Sequence, residues 1–158
     1  MAASGEELRR AMRRYPSGVC VVTVEDEGTA LGTTVGSMVS LALEPALVGV
    51  SIGHQSSIHL PLRTAGRFAV SVLGGDQAHV AQHFARSVPP IAQWTGVARR
   101  EGPGPEPLVD DAVAWLGCTV ASEHEAGDHT VFVGAVEWVE LGRRRGPLVY
   151  LEGAYRAL

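Results

Sequence analysis

Residues 114–140 read AWLGCTVASEHEAGDHTVFVGAVEWVE, and the reading of this stretch decides the fold. β-Branched and aromatic residues crowd both ends, with the turn formers Gly127 and Asp128 between them. The spacing predicts two strands, 114–123 and 130–140, closed into a long hairpin. His129, first in line on the returning strand, is not needed for the turn. A polar ring at the end of an otherwise apolar strand is where a binding site can sit. The returning arm also carries bulk on both faces: Val131, Val133 and Val139 on one, Phe132, Val136 and Trp138 on the other. A one-sided sheet alternates more cleanly with polar residues, so a second covered face implies a ligand or a subunit partner.

Working outward, short β-branched or apolar runs predict strands at 19–24 (VCVVTV), 30–35, 47–52, 68–73 and 148–151. Residues 25–28 turn the first of these back on the second. Ser4 with Glu7 is a capping-box spacing and predicts a helix over 5–14, stopped by Pro16 and Gly18. Ser57 is expected to cap a short helix through Ala65, ended by Gly66, and 76–84 reads as another. Residues 87–107, with Pro89, Pro90 and the run GPGPEP, read as loop. Six or seven strands without regular βαβ alternation argue for an antiparallel barrel or sandwich rather than a doubly wound sheet. Neither an internal repeat nor a long linker divides the chain, so 1–158 is expected to be one domain.

Hydrophobic residues make up 46% and charged residues 19% of the 158, the balance of a globular chain. The net charge of -4 exerts no general pull on nucleic acid or anionic membrane. All 13 basic residues are arginine, which excludes a Schiff-base lysine and a P-loop lysine. Cys20 and Cys118 sit singly in predicted strands. They could be neighbours in a sheet, and buried free thiols in a reducing cytosol are the better reading. The charged start lacks the apolar core of a signal peptide, and no apolar run approaches the ~18 residues that span a bilayer. A cytoplasmic location is expected.

Neither G-x-G-x-x-G opening a helix, nor a P-loop, nor G-x-S-x-G is present. His79 and His83, four apart, could share a metal, but no third ligand is evident and a polar helix face is the plainer reading. His124-Glu125 with His129 has a spacing of five, one too many for two ligands on one helix face. No metal site is expected. The stretch 32–40, GTTVGSMVS, is different. Its Gly32, Thr33, Thr34, Gly36, Ser37 and Ser40 would let a planar ligand approach the backbone and would supply neutral hydrogen bonds. An edge strand with a polar loop explains the same residues. In SIGHQSSIHLPL (51–62), Ser56 and Ser57 are expected at a strand-to-helix junction, where free N–H groups favour anions.

These segments, in this order, resemble the flavin reductase-like family with the FMN-binding split-barrel fold. Tyr15 to Thr23 (YPSGVCVVT) is similar to the family's first strand, Gly32 to Ser40 to its G-x-T-x-S-S-F-x-S stretch, and Glu44-Pro45-Ala46-Leu47-Val48 to D-P-P-L-V. Gly66 to Leu73 resembles G-R-F-A-V-N-V-L, and Gly127 to Val136 resembles G-D-H-x-x-F-x-G-x-V. The resemblance covers about residues 8–155. It implies a mainly β, six-stranded antiparallel Greek-key split barrel with short flanking helices, a homodimer, and FAD or FMN at the dimer interface. It further implies a reductase that passes hydride from NADH, or NADPH, to flavin and serves a separate flavin-dependent monooxygenase.

Carried onto this chain, Thr34, Val35, Gly36 and Ser37, within the stretch that also holds Thr33 and Ser40, would hold the flavin ring and ribityl chain. Ser51, Ser56 and Ser57 would line its phosphate end, with Arg86 as the cationic candidate. Gly127, Asp128 and His129 would take the nicotinamide nucleotide. No catalytic acid, base or nucleophile is required. Gly36 and Met38 depart from the family's serine and phenylalanine, and Ser57-Ile58 stand where a basic residue and a threonine are usual. Those departures leave a non-catalytic flavin-binding module as the alternative. A pyridoxamine-phosphate-type oxidase, which shares the barrel, would want more basic residues than this chain has.

Overall fold

In the computed structural model, which describes residues 1–158, the predicted capping box forms. Ser4 N–H donates to Glu7 Oε2 (2.8 Å) and Glu7 N–H to Ser4 Oγ (3.2 Å), starting helix α1 (Gly5–Met12). No residue of α1 is buried. The two-residue strand β1 (Ser17–Gly18) leads into the hairpin β2 (Cys20–Asp26) and β3 (Thr29–Val35). Its turn residues Glu27 and Gly28 both have positive φ, as a type I′ turn demands. A second hairpin joins β4 (Val39–Leu43) to β5 (Ala46–Gly53). Helix α2 (His59–Ala65), strand β6 (Arg67–Val72) and helix α3 (Ala78–Phe84) follow. Within the segment expected to be loop, a 3-10 turn forms at Pro90–Ala92. Short strands β7 (Arg99–Arg100) and β8 (Leu108–Val109) then pair with each other. The long hairpin is β9 (Ala114–Ala126) and β10 (His129–Leu141), and β11 (Leu148–Leu151) with β12 (Ala154–Ala157) closes the chain.

The main sheet is antiparallel throughout, in the order β3-β2-β6-β9-β10-β5-β4. It has seven strands rather than six. The addition is β4, whose Val39, Leu41 and Leu43 are all exposed, so no buried pattern marked it in the sequence. The sheet curls on itself. Leu31 and Val35 of β3 share one core with Val48, Val50 and Ile52 of β5, although β3 and β5 are not ladder partners. That unpaired seam is the split of the barrel.

The near-continuous apolar run of β2, interrupted only by Thr23, follows from burial on both faces. Cys20, Val22 and Val24 enter the barrel core with Phe68 and Phe132, while Val21 packs outward on Val80 and Phe84 of α3.

Two expectations are corrected. Ser57 does not cap α2: the helix starts one residue later, after Ile58 in a helical conformation, and the Ser57 hydroxyl accepts instead from Gln93 Nε2 at 3.2 Å. The junction therefore builds no serine-capped anion site. Cys20 and Cys118 are not sheet neighbours, because β6 lies between their strands. Both thiols are free and buried, and desolvation pushes each up to about 12. His83, half-buried, bonds through Nε2 to the Gln93 carbonyl (2.7 Å), which takes it out of any pairing with the exposed His79.

Candidate functional site

A cleft of about 260 Å³ opens along the seam. One wall is the end of β3 and the turn after it, from Thr33 to Ser37. The other is Ser51 to Gly53 of β5 with Ser56, and His129 stands at the end. Ser37 staples the two walls. Its Oγ accepts from Ser51 N–H (3.0 Å) and donates to the Ser51 carbonyl (3.1 Å). Thr34 Oγ1 donates to the Ala81 carbonyl of α3 at 2.7 Å. Both hydroxyl protons are thus used inside the protein. Thr33, Ser51 and Ser56 make no side-chain hydrogen bond, so theirs are the hydroxyls left for a ligand. Gly36 is a close approach: a Cβ there would stand 2.7 Å from Ser17 Oγ. Past Gly36 the cleft continues into a hollow of about 160 Å³ between Val19, Tyr150 and Tyr155.

At the far end, Gly127 takes φ +64° as the first central residue of the hairpin turn, a position where a type II′ turn needs positive φ. Asp128 Oδ1 lies 2.7 Å from His129 Nδ1, and this contact holds the Asp128 carboxyl below its ordinary range. The other ring nitrogen, Nε2, stands 3.6 Å from the point a Cβ on Gly53 would occupy. The imidazole is therefore fixed on one side by Asp128 and lies against bare backbone on the other.

The remaining expected residues fall outside the cleft. Ser40 pairs with Val48 on the exposed edge strand. Arg86 is exposed just beyond α3 and makes no ion pair. Ser57 contacts the site only through Gln93. That glutamine is buried in the segment expected to be loop. Its Oε1 accepts from Gly32 N–H (2.8 Å), so it ties β3 to the serine loop. The sequence offered one signal for it, a lone tryptophan (Trp94) beside it in a proline-rich stretch. A larger hollow of about 470 Å³ is lined by the Arg99–Pro107 segment. Its Arg100 is held by Glu140 and its Glu106 by Arg67, while its Arg99 and Glu101 make no ion pair.

Behind the hairpin tip lies a polar cluster that the sequence did not disclose. His59 Nε2 is 2.8 Å from Thr130 Oγ1, which donates to Glu125 Oε1 at 3.1 Å. Glu125 also takes Arg63 (3.0 Å) and His54 (2.9 Å). Burial first, and then the charges of Arg63 and His54, hold His59 below its ordinary 6.5. Between that lowered value and 6.5 the unfolded chain binds a proton that the folded chain refuses, so stability rises with pH through this window. Melting temperature is expected to fall as pH drops below about 6.5, and His59→Asn should flatten that slope. A slope equal in the two proteins would remove His59 as its source.

Comparison with known proteins agrees with this architecture. The profile of the flavin reductase like domain matches residues 12–158. The chain belongs to that family, and its barrel is the family's split barrel. An NADH-dependent flavin reductase of Rhodococcus sp is 39% identical over 156 residues, covering 96% of this chain and 85% of the relative. The reductase component of 4-hydroxyphenylacetate 3-monooxygenase from Thermus thermophilus is 37% identical, covering 97% and 96%. Among solved structures, the Streptomyces globisporus NADH:FAD oxidoreductase SgcE6, in complex with NAD and FAD fragments, superposes with a TM-score of 0.90. It is 33% identical and covers 99% of this chain and 95% of its own.

Proposed function

We propose that this protein is an NADH-dependent flavin reductase that supplies reduced flavin to a separate monooxygenase. The observation that carries the proposal is the seam cleft itself. It has a bare glycine wall at Gly36 and Gly53, three uncommitted hydroxyls, and one oriented imidazole at its end. Such a lining fits a planar, hydrogen-bonding ring system. Hydride transfer from nicotinamide C4 to flavin N5 is chemistry the two cofactors supply themselves.

What the chain contributes is position, the near-attack geometry of ~3–3.5 Å between reacting atoms. Thr33, Ser51 and Ser56 would bind the flavin's polar edge and ribityl chain, and the Gly36 backbone would let its ring come close. His129 holds the nicotinamide or its pyrophosphate. Loss of NADH absorbance with FAD, FMN and riboflavin added in turn is the test. Turnover with any of them is expected, and none with all three would leave a non-catalytic flavin-binding module.

The residues lining the cleft include no arginine. Flavin binding is therefore moderate, on the order of -8 kcal/mol for a micromolar substrate, and the purified protein is expected to be colourless. His129→Ala should raise KM for NADH roughly tenfold, the scale of a lost charge-assisted hydrogen bond. KM for flavin should stay within about twofold. Unchanged NADH kinetics would sink the role of His129.

The working unit is a homodimer, and its location is the cytoplasm. Val39, Leu41 and Leu43 line an exposed sheet edge, and α1 leaves Leu8 and Met12 exposed. A second copy would cover such apolar surface, and light scattering on the purified protein tests it.

A further inference from the structure

We infer that Thr130 is a positioning residue for the nicotinamide side of the cleft, acting through a hydrogen-bonded hub that fixes where His129 stands. The inference rests on the role given above to His129.

Beyond its backbone ladders to β5 and β9, the hairpin tip has little else to hold it. Residues 123–129 are all exposed, so no apolar packing pins the turn. Thr130 is the first residue of β10 to be fully buried, and by strand alternation its side chain points away from that of His129. Its single hydroxyl proton goes to Glu125 Oε1. The contact to His59 at 2.8 Å must then be donated by Nε2–H of the imidazole, which sets the tautomer of His59.

Through Glu125 the hub reaches Arg63 on α2 and His54 in the loop after β5. The His54 backbone N–H closes the circuit by donating to the Asp128 carbonyl at 3.0 Å. One hydroxyl thus joins both arms of the hairpin to α2 and to the loop that follows Gly53. These are the same two surfaces, Asp128 and Gly53, that bracket the His129 ring.

Thr130→Val keeps the shape and removes both bonds, leaving the His59 N–H without its partner. Thr130→Ser restores the hydroxyl. The valine variant is expected to raise KM for NADH about three- to tenfold, the scale of one unsatisfied polar group. Its KM for flavin and its kcat should remain within about twofold. The serine variant should match the wild type in all three.

A role in stability alone would lower the melting temperature and leave the two Michaelis constants in their original ratio. An unchanged KM for NADH in Thr130→Val overturns the inference. So does a parallel rise in both constants, or a serine variant that behaves like valine. Glu125→Gln, at an exposed position, carries the same test should the valine variant fail to fold.

His129→Ala separates this inference from the reading beneath it. A response in His129→Ala with none in Thr130→Val removes the hub alone. Silence in both removes the role of His129 as well. A response only in Thr130→Val overturns the route through His129.

Discussion

Replacing Arg67 by methionine is expected to destabilise the protein by about 3–5 kcal/mol, the cost of leaving one member of a buried ion pair alone. Glu106 is 2% exposed and its Oε1 lies 2.5 Å from Arg67 Nε. Its Oε2 has no hydrogen-bond partner, so the guanidinium is the main compensation for that charge. Glu137, the second partner of Arg67 at 3.3 Å, is itself a carboxylate and offers Glu106 no compensation once the guanidinium is gone. The pair also anchors the segment before β8, where Thr23 Oγ1 donates to the Pro107 carbonyl at 2.6 Å. Urea denaturation should show the full loss in Arg67→Met, with a fall in melting temperature of roughly 6–20 °C. Arg67→Met combined with Glu106→Leu should recover most of it, because a matched apolar pair removes the charge that had lost its partner. A single variant that melts within about 2 °C of the wild type would contradict this account.

That ion pair marks the boundary of what could be read from the sequence. Strands whose side chains face a core announced themselves by composition: β2, β5, β6 and the returning arm β10 are dense in valine, isoleucine and phenylalanine, and β9 carries Trp115, Leu116 and Val120 in its first half. Turns announced themselves by glycine and aspartate, and α1 by its Ser4–Glu7 box. β4 did not, since VSLAL lies at an exposed edge and lacks a buried alternation. The segment before β8 did not either. Its order comes from buried polar bonds to distant strands, such as Arg67–Glu106 and Thr23–Pro107, and these leave no periodicity behind.

The site divides in the same way. Thr33 to Ser37, Ser51, Ser56 and His129 were visible because small hydroxyl residues and a lone histidine are odd at strand ends. Gln93 bonds to Gly32, 61 residues earlier in the chain, and only the fold brings them together. The hub of His54, His59, Arg63, Glu125 and Thr130 assembles from four elements. Each of its members, taken singly, looks like an ordinary surface or strand residue. Ser57 misled for the opposite reason. Its local context suited a helix cap, and a tertiary bond to Gln93 took the hydroxyl instead.

Gly134→Ala should cost about 2 kcal/mol, within the usual 1–3 for overpacking a filled core. A Cβ at position 134 would stand 2.6 Å from Phe68 Cζ and 2.9 Å from Cys118 Cβ. Both neighbours are fully buried. The cysteine Cβ is fixed to the ladder of β9, so the phenylalanine ring or β10 itself must move. The entropy that alanine removes from the unfolded chain offsets only ~0.4–1 kcal/mol of this. Melting temperature should fall by roughly 4–8 °C. Gly5→Ala is the control, since nothing lies within 4 Å of its Cβ position, and it should be neutral or slightly stabilising. Phe68→Leu placed on top of Gly134→Ala should cost less than Phe68→Leu alone, because the new methyl group occupies part of the space the ring vacates. Additive costs for the two substitutions would mean that β10 does not pass over Phe68 as closely as described. The site feels the same contact. Gly134 sits at a register shift between β10 and β9, five residues from His129, so a strand displaced there carries the hairpin tip with it. Gly134→Ala is therefore expected to raise KM for NADH more than KM for flavin, whose proposed hydroxyl contacts Thr33, Ser51 and Ser56 lie on β3, on β5 and in the loop after it. Equal changes in both would place the displacement elsewhere in the barrel.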